Sequence, residues 1–298
     1  TQSVVLDIPR GTSLRGLSED LAARGIIGNA YLFMALGRMT GKGSEIKAGE
    51  YEIRSGLTPA QVLALLASGK VMQHAVTIVE GWTFRQAFAA IAADDRFVKE
   101  LESVSCKGLM ARLGYPGQNP EGRFFPDTYY FTKGTSDLDI LRRAHRTMER
   151  VLAEEWAKRA EGLPLASPDD ALILASIVEK ETGLASERQQ IAGVFARRLA
   201  LGMRLQTDPT VIYGLRDSYD GDLTRADLTE DTPYNTYLHT GLPPTPIALP
   251  GRGAIHAALH PAEGDSLYFV ARGDGSHQFS ATLAEHNAAV RRYQLGAR

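Results

Sequence analysis

A single cysteine, Cys106, stands among 298 residues. That excludes an intrachain disulfide framework and any zinc site built from cysteines. The thiol also sits in a nondescript polar stretch, so nothing around it suggests a nucleophile. A basic excess is missing too: 33 Lys and Arg face 35 Asp and Glu, for a net charge of −2. Binding a phosphate backbone needs a clear basic surplus on some face, so no nucleic-acid partner is expected. No apolar run approaches the roughly 20 residues of a membrane span. The longest, Ala171 to Val178, suits a buried helix. The Gly-x-Ser-x-Gly elbow, the phosphate-binding Walker loop and the dinucleotide fingerprint are all absent. What remains is a chain 44% hydrophobic and 23% charged, the balance of a globular protein and not of a disordered or fibrous one. At about 150 residues per domain, its length suggests two domains.

One local pattern recurs near the start. Val4 to Ile8 reads as a strand, Gly11 as a turn, and Ser13 as the cap of a helix with Leu14, Leu17 and Leu21 on one face. Tyr51 to Ile53, Gly56 and Thr58-Pro59 repeat the order before Val62, Leu63, Leu65 and Leu66. Val76 to Val79, Gly81 and Thr83 repeat it again before Phe84, Ala87 and Ile91. Such units could be small carbohydrate-binding or wall-binding modules. They could equally be the generic way to join a strand to a helix.

Further along, 97–113 reads as helical. Glu121 to Phe131 is crowded with aromatics and interrupted by Pro126, as in a strand or a loop against a core. Asp137 to Arg159 reads as a long amphipathic helix, and the Pro-containing stretch from Gly162 to Ser167 as a subdomain boundary. Ser167 then caps a helix that is apolar nearly all round, hence buried, and that runs to Glu181 with Gly183 as its stop. Ser186 and Gln189 have the spacing of a capping box for the next helix, which carries Ile191, Val194, Phe195 and Leu199. Polar loops follow, and the chain closes with a strand at Ser266 to Val270, a Gly-rich hairpin and a helix containing His286.

Two carboxylates, Glu179 and Glu181, end the buried helix. A carboxyl withdrawn from water holds its proton to higher pH, which suits a general acid for a glycosidic bond. Residues two apart point roughly 200° away from each other, so one regular helix cannot aim both into one cleft. One is expected to work and the other to pair with Arg or Lys. Solvated charges at a helix end are the plainer alternative, although carboxylates are unfavourable at a C-terminus. Gln206, Thr207 and Asp208, with Tyr213, Tyr234, Asn235 and Tyr237, form a polar and aromatic set suited to a saccharide, or to turn and core packing. His256 and His260 are spaced i, i+4 but lack the Glu of the zincin pattern, and Pro261 follows at once. No metal site and no cofactor are expected.

These stretches together resemble the YceG-like endolytic murein transglycosylases. The likeness rests on Val79-Glu80-Gly81, Phe125 to Thr128, Ala175 to Thr182, Gly202 to Gly214, Tyr234 to Tyr237, Gly241 to Pro244 and His260-Pro261-Ala262. The resemblance implies an α+β protein. Residues 1–74 would form a LysM-like peptidoglycan-binding module, and 75–165 a further strand-turn-helix unit with a connecting helical region. Residues 166–298 would form the catalytic domain, whose buried helix carries the catalytic Glu.

The family cuts glycan strands between N-acetylmuramic acid and N-acetylglucosamine without water, leaving 1,6-anhydro ends. Carried onto this sequence, its catalytic residue is Glu181, with Glu179 in reserve. Asn235 and Tyr234 are the expected stabilisers of positive charge on the sugar. A hydrolytic muramidase and a non-catalytic wall-binding scaffold are the rival readings. The expected partners are glycan strands and peptidoglycan synthases. The chain opens without Met, and the resemblance implies a single membrane helix of about 20 residues upstream, with the catalytic part facing the periplasm from the inner membrane.

Overall fold

The alternation at the start of the chain becomes β1, Ser3–Ile8, which buries Leu6 and Ile8 and exposes Val4 and Val5. Helix α1, Leu14–Ala23, starts where Ser13 accepts a hydrogen bond from the Gly16 amide at 3.1 Å. A second helix, α2, Ala30–Met39, which the strand-turn-helix pattern does not include, is capped by Asn29 and places Phe33 in the core. Strand β2, Gly49–Arg54, pairs antiparallel with β1, setting Leu6 opposite Tyr51. Helix α3, Pro59–Ser68, follows a capping box of Thr58 and Gln61. These elements enclose one core of Leu6, Leu21, Phe33, Tyr51, Leu63 and Leu66. The Tyr51 hydroxyl donates to the Lys47 and Leu66 carbonyls, so its polar end is satisfied inside.

The structure is a computed structural model that describes residues 3–101 and 104–295; the side chain of Cys106 lies outside the described residues. It divides the chain into two units. The first comprises 1–76, 94–99 and 128–137, and the second 77–93, 100–127 and 138–298. The expected middle segment, 75–165, is therefore shared between them. Strand β3, His74–Thr77, pairs with β4, Thr128–Phe131, and not with the β1–β2 sheet, so the third strand-turn-helix repeat does not extend the first two. All three repeats use the same turn: Gly11, Gly56 and Gly81 have φ of +84°, +91° and +76°, where a side chain is strained.

The second unit begins with α4, Phe84–Ala92, under a Thr83–Gln86 capping box. Helix α5 is shorter than the sequence suggests, Cys106–Leu113, because Ser105 caps it and Gly114 closes it. Helix α6 spans Asp137–Trp156. The centre is α7, Pro168–Glu181, capped by Ser167 and Asp170 and buried at every position from Ala171 to Val178. Around it pack α8, Arg188–Ala200, and α10, Arg252–Leu259, with α9, Asp208–Leu215, between them in sequence. A hairpin of β5, Tyr268–Ala271, and β6, His277–Ser280, leads to α11, Leu283–Val290.

Two expected boundaries move. Helix α7 ends on Thr182 in extended conformation, not on Gly183, because the Thr182 hydroxyl accepts from the Leu184 amide and turns the chain there. Helix α8 starts at Arg188 without the Ser186–Gln189 box. Gln189 is committed elsewhere, donating its amide to the His260 carbonyl, and Glu187 is held by His277.

Candidate active site

The end of α7 separates its two carboxylates as the helical angle requires. Glu179 points to the start of α10, where its Oε2 accepts from the Gly251 amide at 2.9 Å and its Oε1 from Arg188 at 3.3 Å. Its side chain is 5% exposed, and burial raises its affinity for a proton against the pull of Gly251 and Arg188. A carboxylate with an amide at a helix N-terminus and a guanidinium is a structural anchor. Glu80 approaches the same arginine at 3.6 Å.

Glu181 faces the opposite way, toward the loop before α9. The Thr207 hydroxyl donates to its Oε1. Burial is the main influence and pushes its pKa up to about 7. The Thr207 bond and the charges of His277 and Arg198 work against that shift, and Asp208 works with it. An acid that holds its proton near neutrality, partly open to solvent, can donate it to a leaving oxygen.

Backbone geometry places Thr207 where it is needed. Gln206 has φ +50° and gives its amide to the Thr236 carbonyl, while Thr236 Oγ1 accepts from the Thr207 amide at 3.1 Å and meets Thr210 Oγ1 at 2.8 Å. Thr236, at the centre of Tyr234 to Tyr237, thus ties that loop to the N-terminus of α9. Arg198 supports the loop from beneath, donating to the Leu205 and Leu267 carbonyls at 2.7 Å each.

The candidate saccharide residues divide into groups. Thr207, Asp208 and Tyr237 gather at Glu181: Tyr237 donates to Asp208 Oδ1 at 2.6 Å, Asp208 raises the proton affinity of Glu181, and the Glu181 charge raises that of Tyr237. Gln206 is exposed beside them. Asn235 departs from the expectation. It is wholly buried, its amide donates to the Leu228 and Glu230 carbonyls, and its Oδ1 accepts from the Tyr237 amide. Its side chain shapes the loop. Tyr234 departs likewise, being 8% exposed, bonded to Thr245 and packed edge-on against Tyr213 at 4.9 Å.

Tyr213 in turn leads to a residue the sequence did not single out. Its hydroxyl donates to Glu121 Oε2 at 3.0 Å, and the Phe84 amide to Oε1 at 2.8 Å. Glu121 is 5% exposed and burial pushes its pKa up to about 7. Its partner lies 92 residues away, so no local spacing could reveal the pair. Arg123, two residues on, fixes this segment to the start of α7 through a two-pronged bond to Asp169 at 2.8 and 2.7 Å.

Among the described residues, the donor atoms of Glu155, His256 and His260 come within 4.8 Å of one another, close enough to take a metal ion. Hydrogen bonds already occupy them. Glu155 accepts from Arg252 at 2.8 Å and pairs with His256 at 3.0 Å, and His260 Nε2 faces the Lys158 carbonyl at 2.8 Å. A guanidinium on the same carboxylate opposes a cation there. The trio acts as a polar tie between α6 and α10, which is a use for the i, i+4 histidines that their spacing alone did not indicate.

Comparison with known proteins follows the same lines. The profile of the YceG-like family matches residues 6–292. An endolytic murein transglycosylase of Bacillus subtilis is 32% identical over 311 residues, covering 98% of this chain and 85% of its own. One from Streptococcus pneumoniae is 27% identical over 96% of this chain, which spans 58% of that relative's length. A crystal structure of a yceG-like protein from Listeria monocytogenes is 33% identical, with a TM-score of 0.62 over 96% of this chain and 99% of the other. The chain belongs to the YceG-like family, whose curated relatives here are enzymes.

Proposed function

We propose that the protein is a peptidoglycan lytic transglycosylase that cuts inside glycan strands. The observation that carries this reading is Glu181, a protonatable carboxyl enclosed at the end of a buried helix and oriented by Thr207. The relatives' names supply the substrate class.

The chemistry follows from one residue acting twice. Glu181 gives its proton to the oxygen between N-acetylmuramic acid and N-acetylglucosamine, and the C4 hydroxyl of the leaving sugar takes that proton. The Glu181 carboxylate then removes the proton from the muramic C6 hydroxyl as that oxygen bonds to C1, closing the 1,6-anhydro ring. The carboxyl is regenerated and no water is consumed. The Thr207 donor steadies the anion between the two steps, and burial returns it readily to the acid form. Asn235 and Tyr234 contribute by holding the loop, not by touching the sugar.

Asp208 favours a second reading. A carboxylate beside the acid could hold a water, which is what a muramidase requires. The product decides between them. Digestion of purified sacculi should release anhydro-muramic ends by mass spectrometry, and reducing ends would support the hydrolase. Glu181→Gln should abolish release. Undiminished digestion by both Glu181→Gln and Glu179→Gln would refute an enzyme built on this helix.

The strand-helix-helix-strand portion of the first unit, with a core of its own, supports the reading of that unit as the LysM-like wall-binding part. Termination of growing strands, partnership with synthases and an inner-membrane position facing the periplasm complete the proposal. No helix among the described residues is long and apolar enough to cross a membrane. A chain of residues 1–76, which holds that core, should sediment with sacculi, and one that stays in the supernatant would remove the wall-binding part.

A further inference from the structure

Four residues after Glu181 begins the 3-10 turn Ala185–Glu187, which is fastened to β6. Glu187 Oε1 accepts from the His277 amide at 3.0 Å, and Oε2 meets His277 Nδ1 at 2.7 Å. Both side chains are 12% exposed. A carboxylate can only accept, so Nδ1 carries hydrogen, and the ring can neither flip nor change tautomer while the bond holds. Phe269 meets the ring edge-on at 5.5 Å and Phe279 flanks it at 6.5 Å, which fixes its plane.

This leaves Nε2 as a polar atom of fixed direction. Among the described residues no protein group bonds it, and it is not one of the buried atoms left without a partner, so it reaches accessible surface. The ring also lies near enough to Glu181 to influence that carboxylate. A structural tie would need only the Nδ1 bond. An imidazole whose inner nitrogen is locked to a carboxylate and whose outer nitrogen is open, beside an acid, has the form of a group oriented toward a substrate.

Resting on the transglycosylase reading, we infer that His277, held by Glu187, is a further substrate-binding residue, whose Nε2 hydrogen-bonds a sugar hydroxyl next to the bond that Glu181 cleaves. The class of ligand follows from the open nitrogen. A hydroxyl can meet it as donor or as acceptor, and hydroxyls are the polar groups a glycan has in greatest supply. Glu187 is then a positioning residue, acting only through the ring.

The test separates the two nitrogens. In the Glu181→Gln background, which binds without cutting, affinity for peptide-free glycan strands is measured by calorimetry. His277→Asn keeps a group at the Nδ1 position for Glu187 but has nothing at Nε2, and it should weaken binding by about tenfold, the upper end for one hydrogen bond. His277→Gln brings its Oε1 near the Nε2 position and should restore most of the loss. With Glu181 intact, the same pair should differ in KM more than in kcat. Equal binding by the Asn variant and the parent, with wild type still digesting sacculi, overturns this inference and leaves the transglycosylase reading standing. If wild type digests nothing and the Glu181→Gln protein binds no glycan, both fall.

Discussion

Replacing Glu181 by Gln should cost activity and raise stability at once. The carboxyl gives up its proton near pH 7 in the folded chain, against 4.5 for a solvated side chain. At about 1.36 kcal/mol per pH unit, the ionised form carries a cost of about 3 kcal/mol. The sign follows from proton counting. Between 4.5 and 7 the folded chain binds more protons than the unfolded one, so stability falls as pH rises and levels off above 7. A glutamine has no ionised form, and its carbonyl still accepts from Thr207. Urea denaturation of both proteins at pH 5 and pH 8 gives the comparison. The variant's advantage should be about 2–3 kcal/mol larger at pH 8, which is about 5–10 °C in the melting of a unit this size. Taking the difference between the two pH values removes any effect of the amide's own packing. Digestion of sacculi should fall by about 10²–10⁴. An advantage that is the same at both pH values would refute the burial argument, and a variant that still digests would refute the assignment of the acid.

Further outcomes follow from neighbouring contacts. Since Glu181 must enter the reaction protonated, kcat/KM should decline above about pH 7 in a pH–rate profile. Thr207→Val removes the donor that favours the carboxylate, so that decline should move to higher pH, with a rate loss of about tenfold from poorer orientation. Asn235→Ala strands the Leu228 and Glu230 carbonyls and the Tyr237 amide, and should lower stability by about 2–3 kcal/mol in urea melts. Gly193→Ala should destabilise by about 1–3 kcal/mol despite alanine's helix preference, because its Cβ would lie 2.5 Å from the Ala262 carbonyl; a stabilised variant would show that the close approach yields.

The legible features are those that depend on near neighbours in the chain. Ser13, Thr58, Thr83 and Ser167 cap the helices they announced, and the unbroken apolar run at Ala171 to Val178 is the buried centre of its unit. The opposed directions of Glu179 and Glu181 came from helical geometry alone. The Ser186–Gln189 box failed for the complementary reason: its local hydrogen bond lost to two distant ones, Gln189 to His260 and Glu187 to His277.

The sequence by itself determined the capped helices, the carboxylate at the end of α7 and the family, because each rests on short-range pattern or on runs of matching residues. Only the tertiary structure decided which side chains touch the site. It buried Asn235 inside its own loop, paired Tyr213 with Glu121, and brought Glu187 and His277 together across 90 residues. Burial and long-range pairing set both the proton affinity of Glu181 and the direction of each donor. Neither is a property of any stretch of chain until the core has closed around it.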